Sequence, residues 1–193
     1  MIPSVQEITY RIVGALHLAR FRAQGTGYFD DSPAAALRSF FAAILGAPAF
    51  AIALILDGHE PPTVDFAAVV LTVALSYCLA WTVFPVVAHR ICLAIDKEAA
   101  FFRYLSAKNW TDVITTHLGL IASVLISSGI APLALAPLLN LVVFAYFITL
   151  QGYIAWRCLS VSIAGAVGFV ALDTVIVYFI ASVAYGVIYQ VGG

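Results

Sequence analysis

Asp173 is the residue whose position demands chemistry. It falls inside a long apolar run, Val161 to Tyr189, twelve residues after its start, about 18 Å along a helix that rises about 1.5 Å per residue. A carboxylate at the middle of a bilayer costs about 2.5–3.5 kcal/mol on insertion scales, so it is expected to face protein or water rather than lipid. Two chemistries follow. One is a polar clasp between helices, contributing about 0.6–2 kcal/mol. The other is a proton or cation relay, since intramembrane carboxylates mark ion paths. Counting residues from the matching end of each apolar run nominates Ser76, Tyr77, Ser123 and Tyr146 at the same depth. Asn140 lies about 7 Å further out by the same rise. The expectation is a possible intramembrane polar site in which Asp173 hydrogen-bonds at least one of Tyr77, Ser123 or Tyr146. A relay ordinarily shows several carboxylates or histidines at depth, and this count finds one, which favours the clasp.

Other candidates carry less. Asn140 and Gln151 are about 20° apart around a helix and could form a polar seam or interhelical glue. Asp57, His59, Glu60 and Asp65 stand close enough in sequence to ligate a divalent metal, but the Asp-Gly and Pro-Pro pairs explain the segment as a turn. His89 and His117 lie toward the same ends of their runs, and two ligands do not make a metal site. The chain contains no H-E-x-x-H, P-loop or G-x-G-x-x-G motif and no G-x-S-x-G elbow. Ser127-Ser128-Gly129 has no histidine at its depth. The expectation is therefore no catalytic, cofactor-binding or metal residues, and not an enzyme. Cys78, Cys92 and Cys158 are odd in number and fit no disulfide framework or zinc pattern.

The elements that must position these residues follow from composition. Of 193 residues, 63% are hydrophobic and 10% charged, against roughly 25% charged in a soluble domain. Nine basic and ten acidic residues cannot cover a soluble globule of this size. The net charge of −1 gives no support to a nucleic-acid partner. About 20 apolar residues cross a hydrocarbon core, and five runs qualify: 34–56, 66–91, 112–126, 132–156 and 161–189. Ser32 suits an N-cap and Pro33 the first helical position of the first run. The third is the weakest, diluted by Thr115, Thr116, His117 and Ser123. Residues 96–110 before it could form a short surface helix capped by Asp96. Val5, Ile8, Ile12, Leu16 and Ala19 share one helical face while Glu7, Arg11 and Arg20 lie off it, the pattern of an interfacial helix over 4–22. Packing of that helix on the protein itself would fit equally. The early charges exclude a signal peptide. The fold class is thus all-α, a polytopic membrane helix bundle of five transmembrane helices with an N-terminal amphipathic interfacial helix, in one membrane domain, 1–193.

Five crossings put all nine basic residues on one side or in its fringe, including Arg38, Lys108 and Arg157. The other side holds only Asp57, Glu60 and Asp65. The positive-inside rule then makes the N-terminus cytoplasmic and the C-terminus external or periplasmic, in the cell inner (plasma) membrane. Trp110 and Trp156 would sit near the inner interface, and Tyr185 and Tyr189 near the outer one. Expected partners are the lipid bilayer and other membrane proteins or a homo-oligomer.

The stretch Phe29-Asp30-Asp31-Ser32-Pro33, running into Arg38-Ser39-Phe40-Phe41 and Pro48, resembles the lead-in and first span of bacterial Yip1-family members. The layout as a whole is also similar to uncharacterised five-span bacterial inner-membrane proteins. The resemblance is one of architecture. It implies a non-enzymatic role in membrane organisation or complex assembly, and transfers no functional residue. The function expected is that of a non-catalytic accessory or scaffold protein; the alternative is a small transporter or channel subunit using Asp173 as a proton or cation relay.

Overall fold

The computed structural model describes residues 2–57 and 61–189. Among them are seven α-helices and no strand. Helix α1 spans Val5–Ala19 and starts where the Ser4 hydroxyl accepts the Glu7 N–H at 3.1 Å. It stops in a Schellman turn, with Arg22 N–H on His17 O and Phe21 N–H on Leu18 O. Phe21 takes the left-handed position at φ 56°. A 3-10 segment, Ala23–Tyr28, folds back along α1.

Helices α2 (Pro33–Ser39) and α3 (Phe41–Leu56) follow almost without a break. Ser32 caps α2 as its sequence implies, accepting the Ala35 N–H at 3.2 Å. Asp65 caps α4 (Phe66–Ala94), which continues through Pro85. Then come α5 (Glu98–Ser127), α6 (Ala136–Leu159) and α7 (Ile163–Tyr189). Five stretches, with α2 and α3 counted as one of 24 residues, are long and apolar enough to cross a membrane.

The third stretch differs from its expected form. No break separates a surface helix from a span at residue 112; α5 is continuous over 30 residues. Nothing between Glu98 and Leu118 is Gly or Pro, and its polar side chains find partners inside the protein, so the helix has no reason to end. Asp96 does not cap α5. It occupies the left-handed position that closes α4, with φ 56°, while Lys97 N–H bonds Cys92 O at 2.7 Å. Trp110 lies in the core at 2% exposure rather than at an interface.

Helix α5 is the centre. It packs on α3, α4 and α6, and also on α1 and α2; α6 packs on α7, and α7 on α4. The buried residues concentrate in the half that α1 covers: Phe84, Ala88 and Cys92 on α4, Phe101 to Val113 on α5, Leu150 to Leu159 on α6. Beyond that level the helices expose Ile55, Leu71, Leu141, Val175 and Phe179.

Helix α1 uses the face that its sequence pattern nominates only in part, with Ile8, Ile12 and Ala19 packed against the core. Val5 is exposed, whereas Arg11, Gly14, Ala15 and Leu18 are buried. Arg11 can turn inward because its guanidinium meets the Tyr28 carbonyl and the Asp30 carboxylate. Asp31 receives Arg103 of α5 at 3.0 Å, and Glu7 receives Arg38 Nε at 2.9 Å. The Phe29–Pro33 stretch is therefore a strap: Phe29 is buried, Asp30 holds α1, Asp31 holds α5, and Ser32 starts α2.

Candidate functional site: an ion cluster inside the bundle

Lys108 and Asp112 stand one turn apart on α5, a spacing that puts both on one face. The Lys108 ammonium lies 2.9 Å from Asp112 Oδ2 and 3.0 Å from Asp173 Oδ2 on α7. Gln151 of α6 donates its amide N–H to Asp112 Oδ1. Phe84 of α4 presents its ring 5.4 Å from the same ammonium, within cation–π range. Residues of four helices build one cluster around this cationic group, α6 joining it through Asp112. Lys108 and Asp173 are 8% and 7% exposed and Gln151 is 1% exposed. Each of the two ions lies ten residues from the start of its helix, about 15 Å of rise, so they meet at the same height.

The energetics favour a shared cluster over isolated charges. Removing one ion from water costs several kcal/mol, and mutual attraction offsets this only with good geometry and filled lone pairs. Here the ammonium has two carboxylates and a ring face, and Asp112 has a second donor in Gln151. The lysine stem runs through apolar surroundings that could not otherwise hold a charge.

Asp173 is therefore buried against protein, but not with the partners expected of it. Tyr77 donates its hydroxyl to Ala43 O at 2.7 Å, Ser123 to Asp57 Oδ1 at 2.9 Å, and Tyr146 to Ala19 O at 2.8 Å. A charge-assisted bond is roughly twice as strong as a neutral one, so the ammonium takes the carboxylate. Each hydroxyl settles on an acceptor within its own reach. For Tyr146 that acceptor is an unpaired carbonyl at the C-terminus of α1; Tyr153 does the same for Phe21 O at 3.0 Å.

Those two tyrosine bonds also revise the meaning of Asp173's depth. They fix the end of α1, with its exposed Arg20 and Arg22, beside the stretch of α6 that contains Gln151. The cluster is level with exposed arginines, not midway along the apolar half.

Of the six residues read from sequence, Ser76 lines a separate apolar groove and the other five divide between two cavities. Ser123, Asn140 and Tyr146 line one of about 700 Å³ between α3, α5 and α6, together with Asp57. Tyr77 and Asp173 line a smaller one of about 200 Å³, together with Lys108 and Asp112. The two share Phe50, Thr115, Thr116 and Phe147. Asn140 is exposed and Gln151 buried, so they form no common seam, although Gln151 does join α6 to α5.

Lys108 and Asp112 escaped sequence reasoning because they were assigned to a surface helix and its junction. The signal that could find them is their four-residue spacing in a helix-compatible segment that also holds Tyr104 and Trp110.

His89 sits 3.7 Å from Glu98 and against the Phe101 and Phe102 rings, while His117 bonds Val113 O, so the two histidines serve separate places. His59 and Glu60 lie outside the described residues; among those described, no group of three or more His, Cys, Asp and Glu converges as metal ligands. No family model, no curated protein and no solved structure matches the chain.

Proposed function

We propose that the chain is a multi-pass protein of the cell inner membrane, N-terminus cytoplasmic and C-terminus external, acting as a non-catalytic accessory or scaffold protein in membrane organisation or complex assembly. The observation that carries this reading is a fixed basic rim around the packed half. Arg20 and Arg22 are exposed on a turn held by Tyr146 and Tyr153, and exposed Arg157 lies 5.1 Å from the Trp156 ring centroid. Arginine with tryptophan at one level suits anionic headgroups at a cytoplasmic surface. From Asp173 to Tyr189 the apolar half of α7 rises about 24 Å, against a hydrocarbon core of about 30 Å. That length accords with a cluster near the inner boundary. The architectural likeness to the Yip1 family belongs to the same proposal.

The test replaces Arg20, Arg22 and Arg157 with Gln and purifies the full chain in mild detergent. Loss of co-purifying partners or anionic lipid with an unchanged melting temperature is the expected result. Recovery of the same partners and lipids from both forms would overturn the scaffold reading. Cysteine-accessibility mapping that finds both termini in one compartment would overturn the topology.

One observation favours a second reading, a small transporter or channel subunit. The carboxylate that seemed solitary in the sequence has an ammonium and a second carboxylate in line with it. Under this reading Asp173→Asn abolishes a pH-dependent flux in proteoliposomes, whereas a wild-type protein that carries no flux excludes it.

A further inference from the structure

We propose that the cleft between α3, α4 and α7 binds a small amphiphilic organic ammonium, with its cationic head beside Asp173 and Asp112 and its tail in the adjoining apolar groove. The proposal rests on the membrane placement proposed above, but on neither the scaffold nor the transporter role.

Charge decides the sign of the ligand. The 200 Å³ chamber is lined by Lys108, Asp112 and Asp173. With these groups ionised, two carboxylates face one ammonium that already contacts both. The formal sum is −1, and an anion would meet a lysine whose charge is spent. Asp173 keeps only one ion-pair partner among the described residues, and that partner is shared.

The walls decide the class of cation. Phe50, Tyr77, Trp81, Phe84 and Phe147 line the chamber, and aromatic faces attract organic ammonium groups. A bare metal ion prefers a shell of oxygen ligands. Although Asn109, Thr115 and Thr116 also line the chamber, both carboxylates are already engaged by the Lys108 ammonium, which would repel the metal ion. A water claims about 30 Å³, so the chamber has room for about six waters or an ammonium head of a few heavy atoms.

Continuity decides that the ligand is amphiphilic. Phe50, Tyr77, Ala80 and Val177 line both the chamber and a groove of about 610 Å³ that runs toward the far end. Val69, Val73, Ile180 and Ala184 make that groove apolar. It exists because α3 packs on α5 and leaves α4 and α7 uncovered on that side. An alkyl chain from a surrounding bilayer could lie in it without crossing a polar surface.

The experiment uses the full-length chain in maltoside micelles or nanodiscs, read by tryptophan fluorescence, with Trp81 at the chamber wall, and by thermal unfolding. The probes are decyltrimethylammonium, decyl sulfate and decanol. The ammonium should bind saturably, raise the melting temperature and shift the fluorescence, while sulfate and alcohol at equal concentration do neither. Asp173→Asn should weaken ammonium binding at least tenfold. Should that variant not fold, Val177→Trp serves instead: Val177 is partly exposed and lines both spaces, so the larger ring blocks the passage without changing charge, and binding should again fall tenfold. Equal responses to all three probes would reduce the cleft to a generic lipid groove and overturn the proposal. So would displacement of the ammonium by equimolar sodium or potassium, or no saturable response in the wild type.

Discussion

Leu159 and Leu141 belong to the same helix, yet Leu159 is 0% exposed and Leu141 is 61% exposed. They typify the two halves of the molecule. Around Leu159 the bundle is wrapped by α1, α2 and their connecting strap, and most of its polar groups are paired across elements. Around Leu141 the same helices diverge around two large cavities and present aliphatic side chains outward. Only the first half is packed like the interior of a water-soluble domain. The second half has the outward apolar surface that a lipid solvent tolerates and water does not. The contrast teaches that charge and burial are coupled: all nine basic residues belong to the wrapped half or its rim, where partners and surface are both within reach.

That comparison can be broken most severely at its charged centre. Lys108→Met should leave Asp112 and Asp173 facing one another without a cation and destabilise the protein by about 3–5 kcal/mol, read as a large drop in melting temperature in detergent. Adding Asp112→Asn and Asp173→Asn to the same chain should recover most of the loss, because it removes the stranded charges as well. A single variant that melts like the wild type would mean that the cluster does not hold the helices together.

The same truncation in each half sharpens the contrast next. Leu159→Ala should cost about 2–5 kcal/mol through lost burial and a cavity. Leu141→Ala should stay within about 0.5 kcal/mol. Equal costs would show that the outer half is covered by something as closely packed as protein, such as a second copy of the chain.

A smaller effect is expected where α1 meets the 3-10 segment Ala23–Tyr28. A Cβ on Gly25 would stand 2.8 Å from the Gly14 carbonyl oxygen, and backbone cannot step aside. Gly25→Ala should destabilise by about 1–3 kcal/mol, and limited proteolysis should cut the first thirty or so residues while the long helices survive. The smallest change has the opposite sign. Asp96 is exposed and left-handed, a conformation that costs a non-glycine residue about 1–2 kcal/mol. Asp96→Gly should therefore raise stability by less than about 1 kcal/mol, a melting-temperature gain of a few degrees.

Much of the helical layout was legible beforehand. Apolar runs at 66–91 and 161–189 anticipate α4 and α7 within a few residues, since length and hydrophobicity need no knowledge of neighbours. Ser32-Pro33 marks a helix start because caps act within one turn. The site was legible only in part. Asp173 announced itself as a charge in an apolar run, but Lys108 did not, because a lysine in a mixed segment looks like surface. The burial of Arg11 was invisible for a related reason: its partners, Tyr28 O and Asp30, come from a chain reversal that residue spacing does not encode.

By itself, then, the amino-acid order settles where the apolar helices form and that the cations gather toward one set of helix ends. These are local or additive quantities. Which acid meets which base is neither, because an ion pair across 65 residues, such as Lys108 with Asp173, exists only once helices have chosen neighbours. The packing of α4, α6 and α7 around α5 made that choice, and turned a solitary carboxylate into one member of a shared cluster.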